Sequence, residues 1–415
     1  MAPTSILKTN TMSRFLPRAL RKITRLVTAT GLVFFVVTCA AQPAARLTSF
    51  KPGELWLDDH GVHINAHGGG MLLQGGIYYW FGEHRAGGPA GGTADGVHAY
   101  SSTDLYNWKD EGMVFRPSDD PQSDITKGCL MERPKVVYNA PTHKFVLWFH
   151  LELKGQGYKA ARAGVAVSDQ PTGPYVFRAS FRPNQGVWPI NVTDQDKASP
   201  PAGAGGAGRS VQTAARAGDY LRRDFKSGQM SRDMTVFVDD DGKAYLITSS
   251  EENATLHIVQ LSDDYQGFSG KWSRVLIGDS NEAPAVFKSG GKYYMISSGT
   301  TGWNPNPARS AVADSIFGPW TRLGNPCRGT PEQNRTTFQS QSTYVLALPG
   351  KPGAFIFMAD RWRPQNPIDG RYLWLPIAWE SGQPVIAWHD EWKLSDFDHL
   401  ELPATNAPPA GRIGP

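Results

Sequence analysis

The chain has 415 residues, with 42 Lys and Arg against 38 Asp and Glu and a formal net charge of +4. Six of the basic residues, Lys8, Arg14, Arg18, Arg21, Lys22 and Arg25, lie ahead of the apolar run at 26–37, and without them the balance is near −2. What remains mixes both signs with no Lys/Arg stripe to follow a phosphate backbone, which excludes nucleic-acid binding as the expected function.

The first forty residues run from basic to apolar to small, ending Thr38-Cys39-Ala40-Ala41. That order predicts an export signal over residues 1–41 and a periplasmic or extracellular protein. The alternative is an uncleaved anchor, although a dozen apolar residues is short for a bilayer span. No other membrane segment is expected. Only Cys129 and Cys327 follow, too few for a disulfide framework and without metal-site spacing, so they either pair or sit as buried thiols.

From residue 50 onward one unit recurs. Gly70–Gly82 reads as two short β runs around Gly75-Gly76, and 135–149, 234–247, 285–296 and, more weakly, 342–358 repeat it. β-Branched and aromatic residues supply the strands, and Asp-Gly or Gly-Gly the turns. Each hairpin precedes a second, more polar unit: 97–108, 163–175, 256–264, 310–320 and 372–377. Two hairpins make four strands, one propeller blade, so the expected fold class is all-β, a five-bladed β-propeller over residues 50–400. A sandwich could use the same strands but has no reason to repeat the unit five times. Residues 182–230 are an irregular insertion between the second and third blades, its Gly/Ala-rich middle at 199–210 without periodicity. Residues 401–415 read as an exposed C-terminal tail.

Inner strands of a propeller face a common axis, so the residues that lead into them are the candidates for chemistry. They are polar: Asn65-Ala66-His67 with three glycines, Glu132-Arg133-Pro134, Arg232-Asp233-Met234, Glu282-Ala283-Pro284 and Gln341-Ser342-Thr343, with Glu83 closing the first hairpin. Glu132 and Glu282 hold equivalent places in their repeats. Carboxylates gathered at one cleft repel, and one is pushed to retain its proton, as an acid for glycosidic cleavage requires. Trp80, Trp148 and Trp303 could stack on a sugar face, blade core being the alternative for each. For His67 the alternatives are a sugar contact and a hydrogen-bonded structural histidine. Asp239, Asp240 and Asp241 read as a hairpin turn, with a structural calcium ion as the weaker reading. No cofactor is required.

Taken together, Asn65–Gly70, Tyr79–Glu83, Glu132–Lys135, Ser231–Thr235, Glu282–Pro284, Ser298–Trp303 and Ser340–Thr343 resemble glycoside hydrolase family 43, in its exo-β-1,3-galactanase branch. The resemblance covers residues 50–400 and implies a five-bladed propeller. It implies Glu282 as general acid, Glu132 as the carboxylate that tunes and orients it, and Gln341 beside the attacking water. Asp233, Glu83, Thr300 and Gly302 are implied to hold the terminal galactose. Much of the family has an Asp base in the first blade, where this chain has Asn65-Ala66-His67. Inversion is implied, with acid and water-side group about 6.5–9.5 Å apart. A monomer acting on a polysaccharide or oligosaccharide is expected. The alternatives are a family 43 hydrolase for arabinan, xylan or another galactoside, and a non-catalytic carbohydrate-binding propeller.

Overall fold

Every hairpin read from the sequence forms the inner pair of a separate sheet. The computed structural model describes residues 46–85, 94–194, 197 and 214–399. The first blade comprises β1 (His67–Gln74), β2 (Ile77–Arg85), β3 (Ala94–Ser102) and β4 (Lys109–Phe115). The second has β5 (Leu130–Asn139), β6 (Lys144–Glu152), β7 (Arg162–Ser168) and β8 (Val176–Phe181). The third has β9 (Met234–Val238), β10 (Ala244–Ser250), β11 (Thr255–Leu261) and β12 (Phe268–Val275). The fourth has β13 (Asn281–Ser289), β14 (Lys292–Gly299), β15 (Arg309–Ala313) and β16 (Thr321–Gly324). In the fifth, β17 (Cys327–Arg328) joins β18 (Gln341–Ala347), β19 (Phe355–Arg361), β20 (Arg371–Glu380) and β21 (Gln383–Ala387). Four sheets are antiparallel meanders, and β17 adds to the fifth by pairing parallel with β21.

The inner strands β1, β5, β9, β13 and β18 contact one another in that order, and β18 returns to β1. The result is a five-bladed β-propeller. Its apolar core divides into five clusters, and each lies between two adjacent blades. Alternation along each strand thus gives every sheet two buried faces, as a ring requires. The seam that closes the ring is aromatic: Trp80 and Trp108 of the first blade pack against Trp374 of the fifth. Phe50 stacks on Trp392 with centroids 4.4 Å apart and pairs with its backbone, which ties the two ends of the propeller together. Each such ring pair contributes about 1 kcal/mol beyond the area it buries.

Residues 182–194 and α1 (Ala214–Arg223) belong to the insertion. No periodic signal in the sequence announces this helix, whose apolar Leu221 docks against the core between the second and third blades. Trp188 stacks on Phe225, and Ile190 and Val187 bond Trp272, so the insertion covers the outer strand of the third blade. A covered edge is protected from pairing with other chains. Residues 1–41, 199–210 and 401–415 lie outside the described residues. Cys129 and Cys327 are separate buried thiols. Among the described residues no helix is long and apolar enough to cross a membrane. The Asp239–Asp241 turn spends its carboxylates on Lys288, Tyr293 and Lys243.

Candidate active site

Four of the five inner strands share one irregularity. His67 pairs with Glu83, Glu132 with His150, Glu282 with Ser298 and Ser342 with Ala359, and directly after each the register slips by one residue. In three strands the extra residue is left-handed: Gly68 at φ 59°, Arg133 at 55° and Ala283 at 53°. Such a bulge bends the strand and re-aims the preceding side chain. Pro134 and Pro284 fit there because a bulge needs no ladder donor from them. At Gly68 even a β-carbon is excluded, since it would lie 2.3 Å from the Glu83 carboxylate. Equivalent bulges therefore place His67, Glu132 and Glu282 in corresponding positions around the axis.

The carboxylates meet in a pocket of about 270 Å³, near the lower end of ligand sites, which start at roughly 300 Å³. One sugar ring fills such a space. Burial pushes the Glu282 carboxyl up to about 8, and the neighbouring Asp233 adds to the rise. Arg133, Arg232 and an Asn253 amide that donates to Oε1 at 2.7 Å oppose it without restoring an ordinary value. Glu282 thus carries a proton at neutral pH. Asp233 is fixed by Arg133 at 2.8 Å and by the N–H of Ala283 at 3.1 Å.

Glu132 goes the other way. Burial opposes its ionisation, but His150, Arg85 and the Tyr158 hydroxyl outweigh burial and hold it down at about 2. His150 sits 3.3 Å from Glu132 and 2.9 Å from Glu152, and these two carboxylates overcome its burial to raise it to about 9. Glu132, His150 and Asp233 bring donor atoms within 4.8 Å, as a metal set would. Here the imidazolium itself supplies the positive charge between the acids. Burial raises Glu83 as well, against its ion pair with Arg85.

Arg133 joins three blades to the second. Its N–H donates to Glu83 at 2.9 Å, and its guanidinium reaches Asp233, the Ser342 carbonyl and, at 2.6 Å, Oε1 of Gln341. Trp362 donates to the same Oε1 at 2.9 Å, while Gln341 Nε2 donates to Ser298 Oγ at 2.9 Å. Arg and Trp can only donate, so this network fixes which end of the amide is oxygen. Asn253 ends a run of three left-handed residues, Glu251, Glu252 and Asn253, anchored by a bidentate Arg274–Glu251 pair. Each such residue costs roughly 1–3 kcal/mol, a strain that collects at functional sites.

The profile of the glycosyl hydrolases family 43 matches residues 213–384. A GH43 β-1,3-galactosidase, BT3683, solved with galactodeoxynojirimycin, is 53% identical over 83% of this chain and 100% of its own, with a TM-score of 0.79. The chain belongs to glycoside hydrolase family 43. An exo-β-1,3-galactanase from Phanerochaete chrysosporium with β-1,3-galactotriose is 30% identical over 84% of this chain and 68% of its own, TM-score 0.67. The exo-β-1,3-galactanase 1,3Gal43A from Clostridium thermocellum is 34% identical over 83% and 66%, TM-score 0.67. No curated protein matches the sequence.

In this family 43 propeller, Glu83, Glu132, Asp233, Glu282, Gly302, Trp303 and Gln341 line one pocket. Thr300 does not; it is exposed beside the pocket. His67, expected at the sugar, is 0% exposed and lies behind the wall, stacked on Tyr372. Its bulge position matches Glu132, but burial lowers its basicity and the Glu83 side chain stands between blades at that point. Of the three tryptophans, Trp80 and Trp148 are core, and Trp303, 36% exposed, meets Trp362 edge to face in the wall. Arg133 and Arg232, singled out only as polar residues leading into inner strands, also line it, and Arg85, His150, Tyr158, Asn253 and Trp362, not singled out in the sequence, complete the pocket. Ladder pairing alone could have found His150, because it stands opposite Glu132.

Proposed function

We propose that this chain releases galactose from the non-reducing end of β-1,3-galactan with inversion. The observation that carries the reading is Glu282, its carboxyl pushed up by burial and by Asp233, in a pocket whose wall also holds Gln341. Glu282 donates its proton to the leaving oxygen, and ionised Glu132 stabilises the positive charge that develops on the ring. Both lone pairs of Gln341 Oε1 are engaged and one N–H is held by Ser298, so Gln341 orients the attacking water through its remaining N–H; the proton that the water loses passes to solvent, from which Glu282 regains its own. The galactose-like ligands of the similar structures support the choice of sugar. Proton NMR of the first-formed product tests the reading: β-1,3-galactan should yield α-galactose, and β-1,4-galactan nothing. Sugar binding without product would favour a lectin, and release from arabinan or xylan another family 43 specificity. We further infer export from the order of residues 1–41; deleting them should keep activity inside the cell.

A further inference from the structure

A second pocket, of about 370 Å³, adjoins the first and shares Gly302, Trp303, Gln341 and Trp362 with it. Its chemistry is different. The first pocket is lined by four carboxylates, Glu83, Glu132, Asp233 and Glu282, whereas the second is lined by Arg361, Arg363, neutral amides and hydroxyls, and no acid. Arg363 and Arg371 share one carboxylate, that of Asp369. Arg361, half-buried, has no carboxylate within ion-pair distance among the described residues. It gives one bond to the Phe338 carbonyl at 2.9 Å and lies over the Trp388 ring, 5.9 Å from its centroid, while its buried Nε has no hydrogen-bond partner. A guanidinium partly withdrawn from water, with a ring face but no carboxylate to balance it, is stabilised further when an anion reaches it.

The floor beside it is also unusual. Thr337, Phe338 and Gln339 are consecutive left-handed residues, at φ 49°, 56° and 62°, and Gln339 lines the pocket. Non-glycine residues enter this region in series only where the surroundings impose it.

We propose that this second pocket binds an anionic group carried by the substrate, either a uronate carboxylate or a sulfate ester, through Arg361 and Arg363. A planar guanidinium suits both groups, because it offers paired N–H donors to two oxygens. The shared wall lets one saccharide place a neutral galactose in the first pocket and a charged substituent in the second. This part rests on the galactanase reading; the anion site itself does not.

Sodium glucuronate and galactose 6-sulfate are titrated into the full chain by calorimetry, with and without saturating galactose. At least one should bind with galactose present, and whichever binds identifies the source of the charge. Arg363→Gln should weaken that binding by about tenfold, as loss of a charge-assisted bond does, and raising the salt should weaken it further. Arg361→Gln should weaken it at least as much; if that variant does not fold, exposed Arg363 still carries the test. Binding of neither anion, or binding unchanged in Arg363→Gln, overturns the proposal. Failure of the chain to bind galactose or cleave β-1,3-galactan would instead strike the galactanase reading, and the titrations without galactose would still decide the anion site.

Discussion

Gln341 donates to the hydroxyl of Ser298 at 2.9 Å, and Ser298 stands directly opposite Glu282 in the β13–β14 ladder. One hydroxyl thus links the acid of the fourth blade to the amide of the fifth. The link reaches Glu282 through its backbone, whose carbonyl accepts from the same hydroxyl at 3.4 Å, while Arg133 and Trp362 hold the far end of the amide. Positioning of this kind is where much of an enzyme's rate comes from.

Glu282→Gln should abolish galactose release, lowering kcat by at least about 10³-fold, while sugar binding persists. In the wild type, activity should fall as the pH rises through about 8, where Glu282 ionises. The sign for stability follows from the same shift. The ordinary value is 4.5, so the folded protein binds this proton more tightly than the unfolded chain and loses stability as pH climbs from 4.5 to about 8. Glu282→Gln removes that loss. The variant should melt above the wild type at pH 8, the two converging near pH 4, as thermal scans across pH would reveal.

Gln341→Ala strips the partner from Arg133, Trp362 and Ser298 together, and should cost at least about 10²-fold in kcat. Gln341→Glu keeps an acceptor for Arg133 and Trp362, and Ser298 can turn its hydroxyl to donate. It should retain more activity than the alanine variant. Equal loss in both would mean that seating Arg133 and Trp362 contributes little, and that the free amide N–H, which only glutamine supplies, is what the water needs.

The blades were legible because the strand pairs repeat a two-residue alternation around a turn, glycine-marked at Gly75-Gly76, Asp241-Gly242 and Gly290-Gly291 and proline-marked at Ala140-Pro141. Glu132 and Glu282 were legible as equivalents because the same proline-marked bulge follows both. Arg133 was not, although it lies within the same motif. Its neighbours Asp233, Gln341 and Ser342 are about 100 to 200 positions away, and only ring closure brings them together. His67 misled for a related reason: its place in the repeat is that of a pocket residue, but Glu83 from the adjacent strand fills the space ahead of it. Helix α1 escaped because its sequence, AARAGDYLRR, offers only Tyr220 and Leu221 as large apolar residues, too few for a periodic stripe.

Trp362→Phe keeps a smaller aromatic ring against Trp303 and under Arg133, and deletes the N–H to Gln341. One neutral hydrogen bond is worth about 1 kcal/mol, so kcat should fall by roughly fivefold. KM should barely move, since the ring still shapes the pocket. A rise in KM with unchanged kcat would place Trp362 in sugar binding and leave the orientation of Gln341 to Arg133 alone.

His150→Gln removes the buried cation between Glu132 and Glu152. Its folded value lies above the ordinary 6.5, at about 9, so the stability it confers is complete below 6.5 and lost as pH rises to about 9. Glu132 moves oppositely, from 4.5 down to about 2, so its contribution is complete above 4.5 and lost as pH falls towards 2. The pair therefore stabilises fully only between pH 4.5 and 6.5. Breaking a buried pair on one side costs about 3–5 kcal/mol. The melting-temperature gap between wild type and His150→Gln should peak in that window, narrow towards pH 9 as the wild type loses its imidazolium, and narrow again in acid as Glu132 protonates. A gap independent of pH would mean that His150 is neutral in the fold, and that Glu132 owes its ionisation to Arg85 and Tyr158.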